Sequence, residues 1–532
     1  MRNHPILTAL LSSLSAAAFA GVAVAQPAPP APATPPAPAA PPAADAPAMP
    51  KLSDQIARVS GAAGGLTAAE VGRRATATSF DVRARWAEVE AAAARVDEAH
   101  ARYVPVLTLT ARYTRLSPVE GGALGGGGTV VAPFAPPGQP IDPATTLLVV
   151  APPFAFESFE NQYALTAQLV VPLSDYFLRI GDGAAATKAS ERAARTQHRA
   201  TQLQAASDAR SAYWQWVRAK LQLLVVEQAR ELARSALTDA KRLQEAELAT
   251  KADVLRAESQ VAGAELLVER TRGLVRVLDE QLRTAMHQDD AAPLTVGEDL
   301  LSPPPEVAGV DALEPLVAEA RRQRLELRAL DETVQALGRQ RSVTRAGLYP
   351  RLDAIAEGTY ANPNQRIFPQ RDEFDGTWSL TAQATWVVTD LPGASAGSRA
   401  IEAQIAALEA QARQAEDGIR LQVTQAWLAL REAKLAVVTS ERGLAAAEES
   451  YRVRRELFAA GRARALELTD AETELTRARL EVVNARVDVR LARERLLHAI
   501  GRDARDAAAA KSGAKPRVHR ARGKATRRAA KR

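Results

Sequence analysis

The chain has 532 residues, enough for several globular cores, yet aromatics make up only 5% and the bulk is Ala, Leu, Arg, Glu and Gln, all strong helix formers. There is no cysteine, which excludes disulfides and a lipid attached to an N-terminal Cys. The formal charge of +6 comes from one end: residues 511–532 carry ten Lys and Arg and no acid, and without those ten the charge is −4, so no nucleic-acid partner is expected for the body of the chain.

The N-terminus reads as a secretory signal peptide over residues 1–25: a short polar start (Arg2, Asn3, His4), an apolar run, and the small-residue pattern Ala23-Val24-Ala25. Residues 26–50 are almost only Pro and Ala, which predicts an extended linker. Helical periodicity then covers about 66–102, 183–247, 251–287, 313–346, 396–460 and 465–500, with punctuation at Pro105, Pro293, Pro303 to Pro305, Pro350 and Pro392. Two helices of about 65 residues are each about 97 Å long and four of about 35 are each about 53 Å, so two short ones laid end to end match one long one. Those lengths suit the wall of a tube and far exceed the three or four turns usual in a compact domain.

Four short segments break the helical period and alternate with period two: about 104–115, 162–173, 350–361 and 377–388. In the first, Leu107, Leu109, Ala111 and Tyr113 oppose Thr108, Thr110, Arg112 and Thr114; in the last, Trp378, Leu380, Ala382, Ala384 and Trp386 oppose Ser379, Thr381, Gln383 and Thr385. Each has about the ten residues that a tilted strand needs to cross a bilayer. No later run reaches the roughly 18 apolar residues of a spanning helix, so a membrane anchor must be a closed β-barrel. Four strands fall short of the roughly eight that close one, which implies an oligomer. Polar Thr166, Gln168, Thr381 and Gln383 are then the lumen face. Residues 504–532 are expected to be a solvated, disordered basic tail.

The elements recur. Leu165-Thr-Ala-Gln168 returns as Leu380-Thr-Ala-Gln383, Ala212-Tyr213 corresponds to Ala426-Trp427, Ala257-Glu258 to Ala471-Glu472, and Tyr103-Val-Pro-Val-Leu107 to Leu348-Tyr-Pro-Arg-Leu352. The spacing grows by about 30 residues between the first two strands, where Gly-Gly and Pro-Pro clusters within 117–160 mark an enlarged loop. Two repeats follow, 51–290 and 291–503, each reading helix, strand, loop, strand, long helix, turn, helix.

On the two Pro-x-Leu strand starts (Pro105 to Leu107, Pro350 to Leu352), the aromatic after Ala in each long helix (Tyr213, Trp427), and the turn signatures 248–258 and 461–472, the chain resembles the TolC outer-membrane efflux protein family over nearly all of 51–503. The resemblance implies a mixed α and membrane-β fold: a homotrimer with a twelve-stranded barrel, four strands per chain, continued by an α-helical barrel through the periplasm. It implies a passive exit duct of a tripartite efflux or type I secretion system in the outer membrane, coupled through a periplasmic adaptor to an inner-membrane transporter. It also implies that the helix–helix turns dock the adaptor, here Leu248, Thr250 and Asp253 in one and Gly461, Arg462, Arg464 and Glu467 in the other. The family often carries Gly before both turns, whereas Gly461 has Glu247 as its counterpart. Near the second turn TolC itself narrows its pore with an acid, and the aligned position here is Arg452; the candidate gate is therefore the charge cluster Glu448, Glu449, Arg452, Arg455 and Glu456.

No enzyme constellation is present. The six His (4, 100, 198, 287, 498, 519) are scattered, without a metal-protease, nucleophile-elbow or phosphate-loop pattern, so no catalytic residue, metal or cofactor is expected. The alternative reading is a periplasmic coiled-coil adaptor or tether, which explains long hairpins but not four matched strands.

Overall fold

A computed structural model describes residues 51–118, 159–288, 292–460 and 462–503, together with the backbone of four two-residue strands between them. The expected signal peptide, the linker and the basic tail lie outside the described residues, as does Gly461.

Nine helices and four long strands carry the described fold. They run α1 (Leu52–Val59), α2 (Ala68–Thr78), α3 (Phe80–Ala101), β1 (Val106–Arg115), β2 (Asn161–Val171), α4 (Gly181–Glu245) and α5 (Lys251–Met286), then α6 (Leu313–Gln323), α7 (Leu325–Arg345), β3 (Arg351–Asn362), β4 (Asp375–Thr385), α8 (Leu391–Ala459) and α9 (Ala465–Ala499). At 65 and 69 residues, α4 and α8 are each about 100 Å long. Among the described residues no helix is long and apolar enough to cross a membrane.

The strands form one antiparallel sheet in the order β1-β2-β3-β4. Leu107 pairs with Leu169, Leu165 with Tyr360, and Ala356 with Leu380, so apolar residues fall opposite apolar ones across all four strands. Inside the enlarged loop, Ala123–Leu124 pairs with Phe154–Ala155 and Val130–Val131 with Val149–Val150.

Three of the sequence boundaries are corrected. The helix expected over 66–102 is broken at Ser79, whose side chain accepts from the Val82 amide (3.4 Å) and so caps α3. The helix expected over 313–346 is likewise broken at Arg324, whose extended backbone (φ −66°, ψ 123°) separates α6 from α7. Both breaks meet the end of a returning helix: Thr78 donates to the Met286 carbonyl of α5 (3.2 Å), and Arg324 to the last carbonyls of α9, His498 and Ala499. The strand expected over 377–388 ends at Thr385, and Val388–Asp390 form a 3-10 turn into α8. Pro392 does not stop a helix; it sits in the first turn of α8, where its missing N–H costs nothing.

Helices pack as neighbours in the order α3, α4, α7, α8 on one stretch and α5, α4, α9, α8 on the other. The largest core gathers Tyr213, Trp214, Trp216, Val217 and Leu221 of α4 with Leu282 of α5, Val483 and Val487 of α9, and Leu52 and Ile56 of α1, a helix the periodicity missed. The irregular segment after α5 joins it through Leu294, Val296 and Leu300. Leu66 and Val296 form a parallel bridge there, and a Cβ on Gly65 would lie 2.6 Å from the Gly297 nitrogen, so both positions require glycine. The second core lies around Leu316, Val423, Leu430 and Leu496, and the third around Tyr451, Phe458, Leu468 and Leu475 near the hairpin ends.

Candidate functional site

The sheet has two chemically distinct faces, and its apolar face is uncovered. Leu109 is 75% exposed, Trp378 76% and Leu380 74%, and Leu107, Leu165, Leu352 and Tyr360 on the same face are also exposed. In water, an apolar surface of this kind marks a binding or membrane face. Aromatics stand at both strand ends: Tyr113 against Tyr163 (5.1 Å) and Tyr360 against Phe374 (5.2 Å) at one, and Tyr103 against Tyr176 (6.3 Å) with exposed Phe177, Tyr349 and Trp386 at the other. Such girdles sit where a bilayer meets water.

The opposite face brings the four predicted lumen residues together. Thr166 stands between Thr110 and Thr359, Gln168 between Thr108 and Glu357, Thr381 opposite Ile355, and Gln383 opposite Asp353. Val170 and Ile355 also fall on this face, so its alternation is less strict than the sequence suggested. Among the described residues, β1 and β4 each keep one edge without a partner strand.

At the far ends of the long helices, the two turns are built alike. The Leu248 amide donates to the Leu243 carbonyl (2.8 Å) and the Glu247 amide to Gln244 (3.0 Å), the paired bonds that close a helix through a left-handed residue. Glu247 takes that conformation at φ 57°. In the second turn Arg462 donates to Leu457 (2.8 Å), the same bond 214 residues later. Thr250 and Asp253 form a reciprocal cap on α5: the Asp253 amide donates to the Thr250 hydroxyl (3.3 Å) and the Thr250 amide to the Asp253 carboxylate (3.0 Å). The Thr250 hydroxyl also donates to the Asp253 carboxylate (2.6 Å), and that bond first, then the one from the Thr250 amide, holds the Asp253 carboxyl below its usual range. Arg464, in the matching place, caps nothing with its side chain, and Glu467 instead pairs with Arg454 of α8. Leu248 is 66% exposed at the turn.

The candidate gate residues separate into two sets. Arg452 is bridged by Glu449 (2.6 Å) and Glu456 (2.7 Å) on the exposed side of α8. Both carboxylates favour its charged form, so its pKa is raised. Glu448 points the other way, 3.5 Å from the buried guanidinium of Arg479 on α9. Arg455 faces Glu472 of α9, whose carboxyl is pushed up to about 7 by burial, with Arg455 opposing the shift and Asp239 of α4 adding to it. Arg479 and Glu472 escaped sequence reasoning because each looks like one more charge on a polar helix. Among the described residues no group of His, Asp or Glu side chains could hold a metal ion.

A sheet with one exposed apolar face, joined to helices of about 100 Å, is the form of a membrane-anchored, elongated helical protein. The sequence matches the family described as Outer membrane efflux protein over residues 71–286 and 316–502, and the chain belongs to that family. It shares its fold with the outer-membrane channel OprN (18% identity, TM-score 0.65, 84% of this chain and 95% of that one). The outer membrane protein VceC from Vibrio cholerae (16%, 0.63, 82% and 96%) and the Campylobacter jejuni CmeC outer membrane channel (12%, 0.65, 83% and 90%) are similar in the same way. A search of curated proteins gives no match. The family is one of TolC-like outer-membrane efflux proteins.

Proposed function

We propose that the chain works as a homotrimer in which β1 of each copy pairs with β4 of the next, closing twelve strands into a barrel through the outer membrane. The observation that carries this reading is the sheet itself: four strands, two unpaired edges, and one apolar face left exposed. The helices support it, because the outermost members of each layer carry uncovered apolar stripes: Leu421, Leu428 and Leu435 on α8, and Leu255, Leu266 and Val277 on α5. Three copies side by side cover these stripes and continue the barrel as a helical tube into the periplasm.

In this reading the duct is passive. An inner-membrane transporter and a periplasmic adaptor, in a tripartite efflux or type I secretion system, supply substrate and energy. The adaptor meets the turns around Leu248, Thr250 and Asp253 and around Gly461, Arg462, Arg464 and Glu467. Arg452 with Glu449 and Glu456 presents charge on the surface of α8 that faces the pore in the closed state, and Glu448 and Arg455 fix α8 to α9 behind it. Thr166, Gln168, Thr381 and Gln383 line the lumen. Residues 51–290 and 291–503 are the two repeats, preceded by a cleaved signal peptide and a linker and followed by a basic tail.

Outer-membrane fractionation followed by mass determination in detergent tests the reading. A trimer that resists a salt wash is expected. A monomer, or a protein released by salt as a soluble periplasmic tether would be, overturns it.

A further inference from the structure

The loop between β3 and β4 does not continue the sheet; its first residues fold back onto the polar face. The Arg366 guanidinium donates to Glu357 Oε1 at 2.9 Å and to Ser379 Oγ at 3.4 Å, and the Gln365 amide donates to Gln162 Oε1 at 3.5 Å. Glu357, Ser379 and Gln162 all lie on the face that carries Thr166 and Gln383. Asn364 fixes the bend: it is 3% exposed, its amide donates to the Asp375 carbonyl (2.9 Å) and Thr377 Oγ1 (3.2 Å), and its own Oδ1 accepts from the Arg366 backbone N–H (3.0 Å). Phe374, at the loop's other end, stacks on Tyr360 on the apolar face. The loop therefore straddles the sheet's rim, with Arg366 on one side and the Phe374 ring on the other.

We infer that Arg366, held by Glu357, forms a charged constriction at the outer mouth of the channel and controls which solutes pass it. The inference rests on the barrel reading, in which the polar face lines a lumen. Each copy then contributes one guanidinium at the same height, 45% exposed and so presented to the channel as well as to its carboxylate. An ion pair exposed to that degree is weak enough to be displaced by a passing anion, which the freed guanidinium can in turn bind. A planar carboxylate or sulfonate suits the fork of Arg better than a point cation does. The mouth is thus expected to retard anionic solutes, with exposed Arg112 on the same face of β1 adding a second cation to the one Arg366 supplies.

The absence of cysteine from the chain makes the test clean, because R366C carries the only thiol. Purified trimers of the wild type, R366C and E357Q are placed in planar bilayers, and a bulky, membrane-impermeant methanethiosulfonate is added on the side of the strand loops. The expected result is a stepwise loss of most of the R366C current as copies are labelled, no change in wild type, and a larger open current for E357Q, whose loop is released. Complete labelling of R366C, verified by mass, with its current unchanged overturns the inference while leaving the barrel reading intact. Failure of wild-type trimers to conduct at all overturns the barrel reading and the inference with it.

Discussion

The Tyr213 hydroxyl of α4 donates to the Leu66 carbonyl at 2.7 Å, and Trp427 of α8, 214 residues later, donates its indole N–H to the Val310 carbonyl at the same distance. Each long helix thus reaches out to the chain just before a short helix and fixes where that helix starts. Leu66 O also accepts the Gly297 amide (2.8 Å), so Tyr213→Phe removes one bond without orphaning the carbonyl. The expected cost is about 0.5–1.5 kcal/mol, read as a lower melting temperature with the trimer retained.

Glu247 and His287 hold left-handed backbone at φ 57° and 48°, and the residues 214 positions later are Gly461 and Gly501. A side chain in that conformation costs roughly 1–2 kcal/mol, partly offset because glycine has more unfolded freedom to lose. Glu247→Gly is expected to stabilise the protein by about 0.5–1 kcal/mol and Gly501→Ala to destabilise it, whereas His287→Gly also loses the ring contact with Phe80 (4.6 Å) and the bond to Thr78 (3.2 Å) and is expected to give no gain. Denaturant unfolding of the three variants checks the signs.

The two faces of the sheet differ in what they tolerate. Leu165→Arg, Leu169→Arg, Leu380→Arg and Ala384→Arg are each expected to cost about 2–4 kcal/mol near mid-bilayer, whereas Thr166→Arg and Gln383→Arg are tolerated. Yields of folded trimer compare the sets, and equal losses on both faces would mean that the faces are assigned wrongly.

Burial of Glu472 gives stability a pH dependence. Its carboxyl holds its proton to about pH 7 in the folded chain but only to the ordinary carboxylate range of about 4.5 when unfolded. Between those values the folded state binds more protons, so stability falls as pH rises from about 4.5 to about 7 and is flat beyond. Glu472→Gln is expected to flatten that slope and to raise the melting temperature at pH 8. A melting profile from pH 5 to 8 that is identical for both proteins would rule the effect out.

Much of this architecture can be read from the residues, because its signals are local and repeated. Period-two alternation in Leu107 to Thr114 and in Trp378 to Thr385 names both faces of the sheet, and the long Ala-rich runs name α4 and α8. The breaks at Ser79 and Arg324 were not legible, since neither interrupts the apolar period; Arg324 acts through carbonyls of α9 that lie 174 and 175 residues away. For the same reason the gate cluster looked like one set. Spacing along α8 shows that Glu448 and Arg452 are a turn apart, but only packing against α9 shows that Glu448 turns toward Arg479 while Arg452 stays in solvent. Alternation shows that Thr166, Gln168, Thr381 and Gln383 share one face of the sheet, but not that Arg366 folds onto it, because a lone Arg in a Pro-bounded loop carries no period.

The unpaired edges of β1 and β4 also bear on heredity. If every strand edge is completed by a neighbour, no copy is whole by itself, and a chain with a ruined β1 spoils the ring it enters rather than only itself. A cell making sound and ruined chains in equal amounts would keep about one sound ring in eight, by random mixing in a closed threefold assembly. Lesions in these two strands should therefore behave as dominant alleles, while a lesion that prevents export of the chain altogether should behave as recessive.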